Sequence, residues 1–247
     1  MTSLQGGERL MSPDKTIPSH IGYLCIEGVI GAGKTTLTRK IAERFSGRAV
    51  YEDAEYNPFL SAFYKNRTSV AFQAQLWFLM SRYRQLTETL PRQDLFTNFT
   101  VADYMFAKDA IFAGVNLDEN ELSMYHNIAD MLGTCMPKPD FVIYLQASTS
   151  TLIKRIEKRG RDYETDMDRS YIETLNEAYN HFFFHYTESP LLIINTDNLD
   201  FVANESDFDD IIDQLNLTKW GSAYYSPPIL GDGAVIRGKR KKDEDGQ

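Results

Sequence analysis

Gly28-Val29-Ile30-Gly31-Ala32-Gly33-Lys34-Thr35 fits the pattern G-x-x-x-x-G-K-[ST] in full. An apolar run, Tyr23 to Glu27, precedes it and an amphipathic segment, Thr35 to Phe45, follows it, so the motif sits between a predicted strand and a predicted helix. Gly28, Gly31 and Gly33 let the backbone turn tightly. The N–H groups of the loop, through Val29, Ile30 and Ala32, then point inward at a helix N-terminus that carries partial positive charge for phosphate. Lys34 adds a point charge for the β- and γ-phosphates of a triphosphate such as ATP. The Thr35 hydroxyl is placed for Mg²⁺, with Thr36 as a further N-terminal donor. The alternative, a glycine-rich turn with no ligand, does not need the full motif in this context.

Outward from the loop, short apolar runs alternate with helical patterns. Ala49 to Tyr51 is followed by helical stretches over Pro58 to Arg67 and Ser69 to Leu90. Leu95 to Ala102, Leu122 to Leu132, Phe141 to Leu145, Thr149 to Arg159, Ser170 to Tyr186, Leu191 to Asn195 and Phe208 to Leu217 continue the rhythm. The apolar runs are continuous rather than alternating, as in a sheet buried on both faces. The predicted fold class is therefore α/β, a P-loop NTPase-type parallel sheet flanked by helices on both faces, with a short arginine-rich lid. Residues 1–20 are read as a flexible N-terminal segment, 21–226 as one domain and 227–247 as a flexible C-terminal tail.

Lys and Arg number 26 against 35 Asp and Glu, a net charge of −9, which argues against a nucleic acid polymer as partner while leaving room for a local cationic pocket. No stretch approaches the roughly 20 apolar residues of a membrane helix, and no signal-peptide core stands at the N-terminus, so a membrane location is not expected. Two cysteines, Cys25 and Cys135, permit at most one disulfide, and the expected compartment is the reducing cytoplasm.

Open α/β sheets bind ligands at the C-terminal ends of their strands. Glu52 directly follows a predicted strand there, where a carboxylate could take a proton from an attacking hydroxyl. Asp103 holds the matching position after Leu95 to Ala102 and could reach Mg²⁺, or simply cap the next helix. Arg155, Arg159 and Arg161 cluster about Gly160, with the first two on one helix face; they suggest a mobile lid that neutralises phosphate. The aromatic run around Phe182-Phe183-Phe184 reads as packing of a helix on the sheet rather than a base-stacking platform.

Taken together, these residues resemble the deoxynucleoside kinase family, in particular its bacterial branch acting on purine deoxynucleosides. The likeness rests on Ile26 to Thr36, Glu52, Gln75 with Ser81-Arg82, the stretch Asp103 to Ala113, Pro139-Asp140 before Val142, and R-x-x-x-R-G-R at Arg155 to Arg161. The resemblance implies that Glu52 is the base for the 5′-hydroxyl, that Tyr64 and Glu164 bind the sugar 3′-hydroxyl, and that Gln75 contacts the base edge. It makes Arg82 and Asp109 a pair reading the base and packs Phe112 against sugar or base. Lys34, Arg155 and Arg159 are assigned to the phosphoryl group, Arg159 and Arg161 to the nucleotide, and Thr35 with Asp103 to the metal. Many members carry Arg after the acidic residue where this chain has Tyr104; the lid arginines are expected to cover that role.

The implied reaction is transfer of the γ-phosphoryl of ATP to the 5′-hydroxyl of a deoxynucleoside for nucleotide salvage, with deoxyadenosine first choice and deoxyguanosine or deoxycytidine next. The resemblance also implies a homodimer, through helices such as Leu122 to Leu132. Two other readings stay open on sequence: a nucleoside monophosphate kinase, whose acceptor phosphate Glu52 would repel, and a non-catalytic nucleotide-binding sensor.

Overall fold

Strands that are apolar along their whole length need cover on both sides, and the chain supplies it by returning a helix after almost every strand. The computed structural model describes residues 16–89, 97–133, 136–164 and 167–227. In chain order the elements are β1 (Tyr23–Gly28), α1 (Lys34–Phe45), β2 (Arg48–Val50), α2 (Leu60–Lys65), α3 (Arg67–Thr89), β3 (Thr100–Ala102), α4 (Lys108–Asn116), α5 (Glu119–Gly133), β4 (Phe141–Gln146), α6 (Thr149–Arg159), α7 (Arg169–Phe184), β5 (Leu191–Asn195), α8 (Glu205–Leu217) and β6 (Ser222–Tyr225). The six strands form one sheet in the order β2-β3-β1-β4-β5-β6, every pairing parallel.

This order puts β1 between β3 and β4, where the chain switches from building one side of the sheet to building the other. A crevice opens at such a point, outside the C-terminal ends of the strands, and the glycine loop leaves β1 there. β1 is buried from end to end, and β4 is buried over its first five residues. Leu37 and Ile41 of α1, Leu152 of α6 and Phe208 and Ile211 of α8 pack into the same core. A second cluster, Leu79, Ala113 and Tyr125, ties α3, α4 and α5 together beside the sheet.

Local chemistry sets the helix ends nearest the lid. The Ser148 hydroxyl accepts from Thr151 N–H to cap α6, and Gly160 ends it at φ 65°, the left-handed cap glycine adopts without strain. Asp168 caps α7 through Ser170 N–H. The predicted helix over Pro58 to Arg67 is shorter, ending at Lys65, with Arg67 opening α3; the β2 strand runs one residue earlier than Ala49 to Tyr51. Of the described part of the expected Leu95 to Ala102 run, Thr100–Ala102 is strand; residues 90–96 lie outside the described residues, as do Cys135 and the basic tail from Arg237 to Lys242. Two elements were not anticipated. α4 contains Gly114 and begins with buried Lys108 and Asp109, which break its apolar pattern, and edge strand β6 shows only half-buried Ala223 and Tyr225.

The aromatic run does pack a helix on the sheet. Phe183 stacks on Tyr144 of β4 with ring centroids 4.3 Å apart, and Tyr179 lies beside both. Phe184 points outward, 82% exposed. Phe183→Ala is therefore expected to lower unfolding free energy by about 3–5 kcal/mol, whereas Phe184→Ala should stay within about 0.5 kcal/mol. Denaturant melts of the two variants check this, and equal effects would refute it.

Candidate active site

The loop after β1 has the geometry its glycines predict. Gly31 lies at φ 87° and Gly33, which caps α1, at φ 101°. A side chain at Gly31 would meet the Leu152 carbonyl at 2.8 Å, so only glycine fits where α6 closes over the loop. The Lys34 ammonium folds back to donate to the carbonyls of Gly28 (2.7 Å) and Val29 (3.2 Å). Burial, and then the neighbouring Lys108 charge, depress the Lys34 ammonium to about 8, against the opposing pull of Glu27, Glu52 and Asp103.

Across the cleft from Lys34, the Glu52 carboxylate is gripped on both oxygens. Arg82 donates to Oε1 through Nε (2.8 Å) and Nη2 (2.5 Å), and Lys108 Nζ donates to Oε2 at 2.6 Å. Burial alone would raise the Glu52 carboxyl, but Lys108 and Arg82 outweigh it and hold it well below the usual carboxylate range. Arg82 also pairs with buried Asp109 through Nη1, and the Gln75 amide donates to the Asp109 carbonyl at 2.9 Å. Gln75 and Arg82 share one buried face of α3, as their spacing predicts, and both line the cleft. Asp109 does not reach the cleft wall; it stands behind Arg82 and Gln75 and fixes them.

Asp103 ends β3 beside the loop. One of its oxygens accepts from the Thr35 hydroxyl at 2.5 Å and the other from Glu52 N–H at 2.8 Å. Burial raises its carboxyl, partly countered by the Thr35 hydrogen bond. A hydroxyl and a carboxylate side by side at the loop's end suit Mg²⁺, which prefers few protein oxygens plus water and phosphate. Among the described residues no cluster of three or more His, Cys, Asp or Glu forms a protein cage for a metal.

The three lid arginines separate. Arg159 forks onto Glu164 at 3.1 and 2.5 Å, while Arg161 donates to the Tyr163 hydroxyl at 2.7 Å and pairs with Glu55 at 3.3 Å. Both line the cleft. Arg155 instead turns toward the sheet, donating to the Thr196 hydroxyl (2.9 Å) and carbonyl (2.6 Å) and reaching the Ala32 carbonyl at 3.4 Å. It is placed to brace the glycine loop against the end of β5. Tyr64, Glu164 and Phe112 also line the cleft, with Tyr64 stacked at 6.1 Å on Tyr163. The cleft has a volume of about 230 Å³ and runs from Lys34 and Thr35 to Gln75. A second hollow of about 310 Å³ under the lid, walled by Ile153, Ile156 and Ile172, shares Arg161 and Glu164 with the cleft.

A phosphate loop facing a carboxylate, with an amide further along the same cleft, has the chemistry to hold a phosphate group at one end and a hydrogen-bonding ring at the other. The sequence pattern described as Deoxynucleoside kinase matches residues 24–218. The chain belongs to the deoxynucleoside kinase family. It is 39% identical over 193 residues to a deoxyguanosine kinase of Bacillus subtilis, covering 76% of this chain and 93% of that protein. A deoxyadenosine kinase of Lactobacillus acidophilus is 30% identical over 210 residues, covering 79% and 95%. Among solved structures, the deoxyadenosine kinase from M. mycoides with bound dATP superposes with a TM-score of 0.69 at 29% identity, covering 78% of this chain and 99% of that one.

Two polar residues of this kinase escaped the sequence reading. Lys108 holds the second oxygen of Glu52; Arg159 and Arg161 face Glu164 and Glu55, and Tyr104 turns its hydroxyl to Gln85. Glu27, wholly buried at the end of β1, accepts from Gly28 N–H (3.1 Å) and Met105 N–H (2.8 Å), stitching the loop to the segment that carries α4. A charged residue inside an otherwise apolar strand was its one visible signal.

Phosphate needs the Lys34 proton, and a depressed ammonium loses it as pH rises through about 8. The Kd for ATP is thus expected to be level from about pH 6 to 7 and to climb by up to about tenfold per pH unit beyond the Lys34 midpoint. Calorimetric titration across that range, with Lys34→Met as a control that binds weakly and without this rise, checks it. A Kd unchanged between neutral pH and pH 9 would refute the assignment.

Proposed function

We propose that this kinase transfers the γ-phosphoryl of ATP to the 5′-hydroxyl of a purine deoxynucleoside. The observation that carries the reading is the Glu52 carboxylate, held facing the phosphate loop, with the Gln75 amide further along the same cleft wall. The nucleoside lies with its base at Gln75, its sugar between Phe112 and Tyr64 with the 3′-hydroxyl at Tyr64 and Glu164, and its 5′-hydroxyl at Glu52. Because the Asp109 carbonyl can only accept, Gln75 must turn Nε2 toward it and leave Oε1 for a donor on the base. That donor can be the exocyclic amine of adenine or cytosine or the ring N–H of guanine or thymine, so Gln75 alone does not choose the base. The relatives named for deoxyguanosine and deoxyadenosine support a purine.

In the reaction the 5′-oxygen forms a bond to the γ-phosphorus as the bond to the bridging oxygen breaks. The electron pair of that bond leaves on ADP, and the hydroxyl proton passes to Glu52. A carboxylate held so firmly as an anion is a weak base. It can still serve, because in a loose, metaphosphate-like transition state the attacking oxygen keeps its proton until late. Glu52 then acts first by accepting the hydroxyl's hydrogen bond and aiming the oxygen. Lys34, Arg159 and Arg161 stabilise the spreading charge on the phosphates, and Arg155 keeps the loop in place. Thr35 and Asp103 would hold Mg²⁺, which would supply positive charge to the phosphates when bound.

A monophosphate acceptor would set a dianion against Glu52, which favours the nucleoside. Exposed Met124 and Met131 on α5, with Met80 on α3, support association of two copies through these helices. Steady-state kcat/KM for the four natural deoxynucleosides and their monophosphates, with ATP, ranks the acceptors. A purine deoxynucleoside is expected to lead, and Glu52→Gln should lower kcat by roughly 10²–10⁴-fold while weakening nucleoside binding far less. Preferred phosphorylation of a monophosphate, or undiminished kcat in Glu52→Gln, would overturn the reading.

A further inference from the structure

α4 opens with a lysine that has no place in the phosphate loop, the lid or the base pocket. Lys108 is 4% exposed, yet it lines the cleft, with Nζ 2.6 Å from Glu52 Oε2 and 5.6 Å from the centre of the Phe112 ring. A lysine buried to this degree is rare unless paired. Arg82 is shared between Glu52 and Asp109, so Lys108 completes the charge balance of this buried row, and its ammonium still has protons to spare. An ammonium has three protons to donate, and only one is directed at Oε2.

Lys34 enters the same cleft from the loop, so that both ammoniums line one cavity. Two like charges brought together at the end of a phosphate-binding loop are unfavourable in the empty protein. They become favourable when an anion lies between them. Lys34 approaches from the donor side and Lys108 from the acceptor side, where it already holds the carboxylate that aims the hydroxyl.

We propose that Lys108 is a catalytic residue of the phosphoryl transfer, its ammonium bridging Glu52 and an equatorial oxygen of the transferring phosphoryl group. One proton of Nζ stays on Glu52 Oε2 and a second goes to the phosphoryl oxygen, so a single rigid group sets the distance between the acceptor hydroxyl's partner and the phosphorus. No bond of Lys108 is made or broken; it supplies charge from the acceptor side while Lys34 supplies it from the donor side. It thereby takes over the cation that Tyr104 cannot provide. Placement on α4 next to Asp109, which anchors Arg82, couples this cation to the wall that holds the base.

The inference rests on the proposed reaction, and the experiment separates the two. Lys108→Met, Lys108→Gln and Lys108→Arg are compared with the native protein for kcat, KM for ATP, Kd for the preferred deoxynucleoside and Tm. Lys108→Met and Lys108→Gln are expected to lower kcat by about 10²–10³-fold, the loss seen when one preorganised donor to a developing anion is removed. The nucleoside Kd should stay within about threefold, since the base and sugar contacts remain. Lys108→Arg should recover kcat to within about tenfold of native, because the guanidinium keeps charge and donors at both oxygens. If Lys108→Met does not fold, Lys108→Gln, which retains a donor to Glu52 without charge, carries the same expectation. A native kcat in either neutral variant, a loss confined to KM or nucleoside Kd, or a folded Lys108→Arg as slow as Lys108→Gln would overturn the role. No phosphoryl transfer by the native protein to any deoxynucleoside would overturn the reaction itself instead.

Discussion

A carboxylate with 17% of its side chain exposed cannot stay ionised on its own; it must be held by cations or take up a proton. Glu52 is held by Lys108 on one oxygen and Arg82 on the other, and Arg82 is in turn paired with Asp109. The result is a row of alternating charge, Lys108, Glu52, Arg82, Asp109, drawn from three separate elements. Glu52 follows β2, Arg82 lies on α3, and Lys108 and Asp109 are adjacent at the start of α4. None can shift without unpairing its neighbour, a loss of about 3–5 kcal/mol for a buried pair. The cleft wall is rigid for that reason. The Asp109 carbonyl then fixes the Gln75 amide, so one electrostatic row runs along the cleft wall from Lys108 to Gln75.

The same row limits the chemistry. Cations strong enough to keep Glu52 charged also make it a poor proton acceptor, which would be a handicap in a reaction needing early deprotonation. Phosphoryl transfer through a loose transition state is tolerant of this, because the attacking oxygen bears little charge until the leaving group has largely departed. Positioning is then worth more than basicity, and a carboxylate immobilised by three hydrogen bonds is suited to position.

The parts legible in the sequence were those whose physics is local. The phosphate loop needs glycines at fixed offsets from a lysine and a threonine, and continuous apolar runs announce buried parallel strands. Gln75 and Arg82 could be placed on one face because helix geometry relates them directly. Lys108 could not be found that way. Its partner is 56 residues away in sequence, and nothing near it in the chain signals a carboxylate after β2. Arg155 shows the opposite error of local reasoning: a shared helix face with Arg159 suggested a shared task, but one more turn of α6 separates a brace under the loop from a group in the cleft. β6 lacks an apolar run because an edge strand is paired on one side only.

The acidic balance of the chain takes on a specific meaning in the cleft. Arg159 and Arg161 face carboxylates, as Arg82 and Lys108 do, but with different exposure. The Arg161 and Glu55 side chains are 36% and 65% exposed, in the range where an ion pair is worth about 0–1 kcal/mol. The Arg82 and Asp109 side chains are 4% and 1% exposed, where loss of a partner is far more costly. The cleft therefore holds two classes of cation. Of the lid arginines, Arg161 is held more weakly than Arg159, since Glu164 is itself buried and Glu55 is not. The wall cations keep their partners and contribute only the donors left over. The ion pairs of the lid are the ones water already weakens, whereas those of the wall are buried.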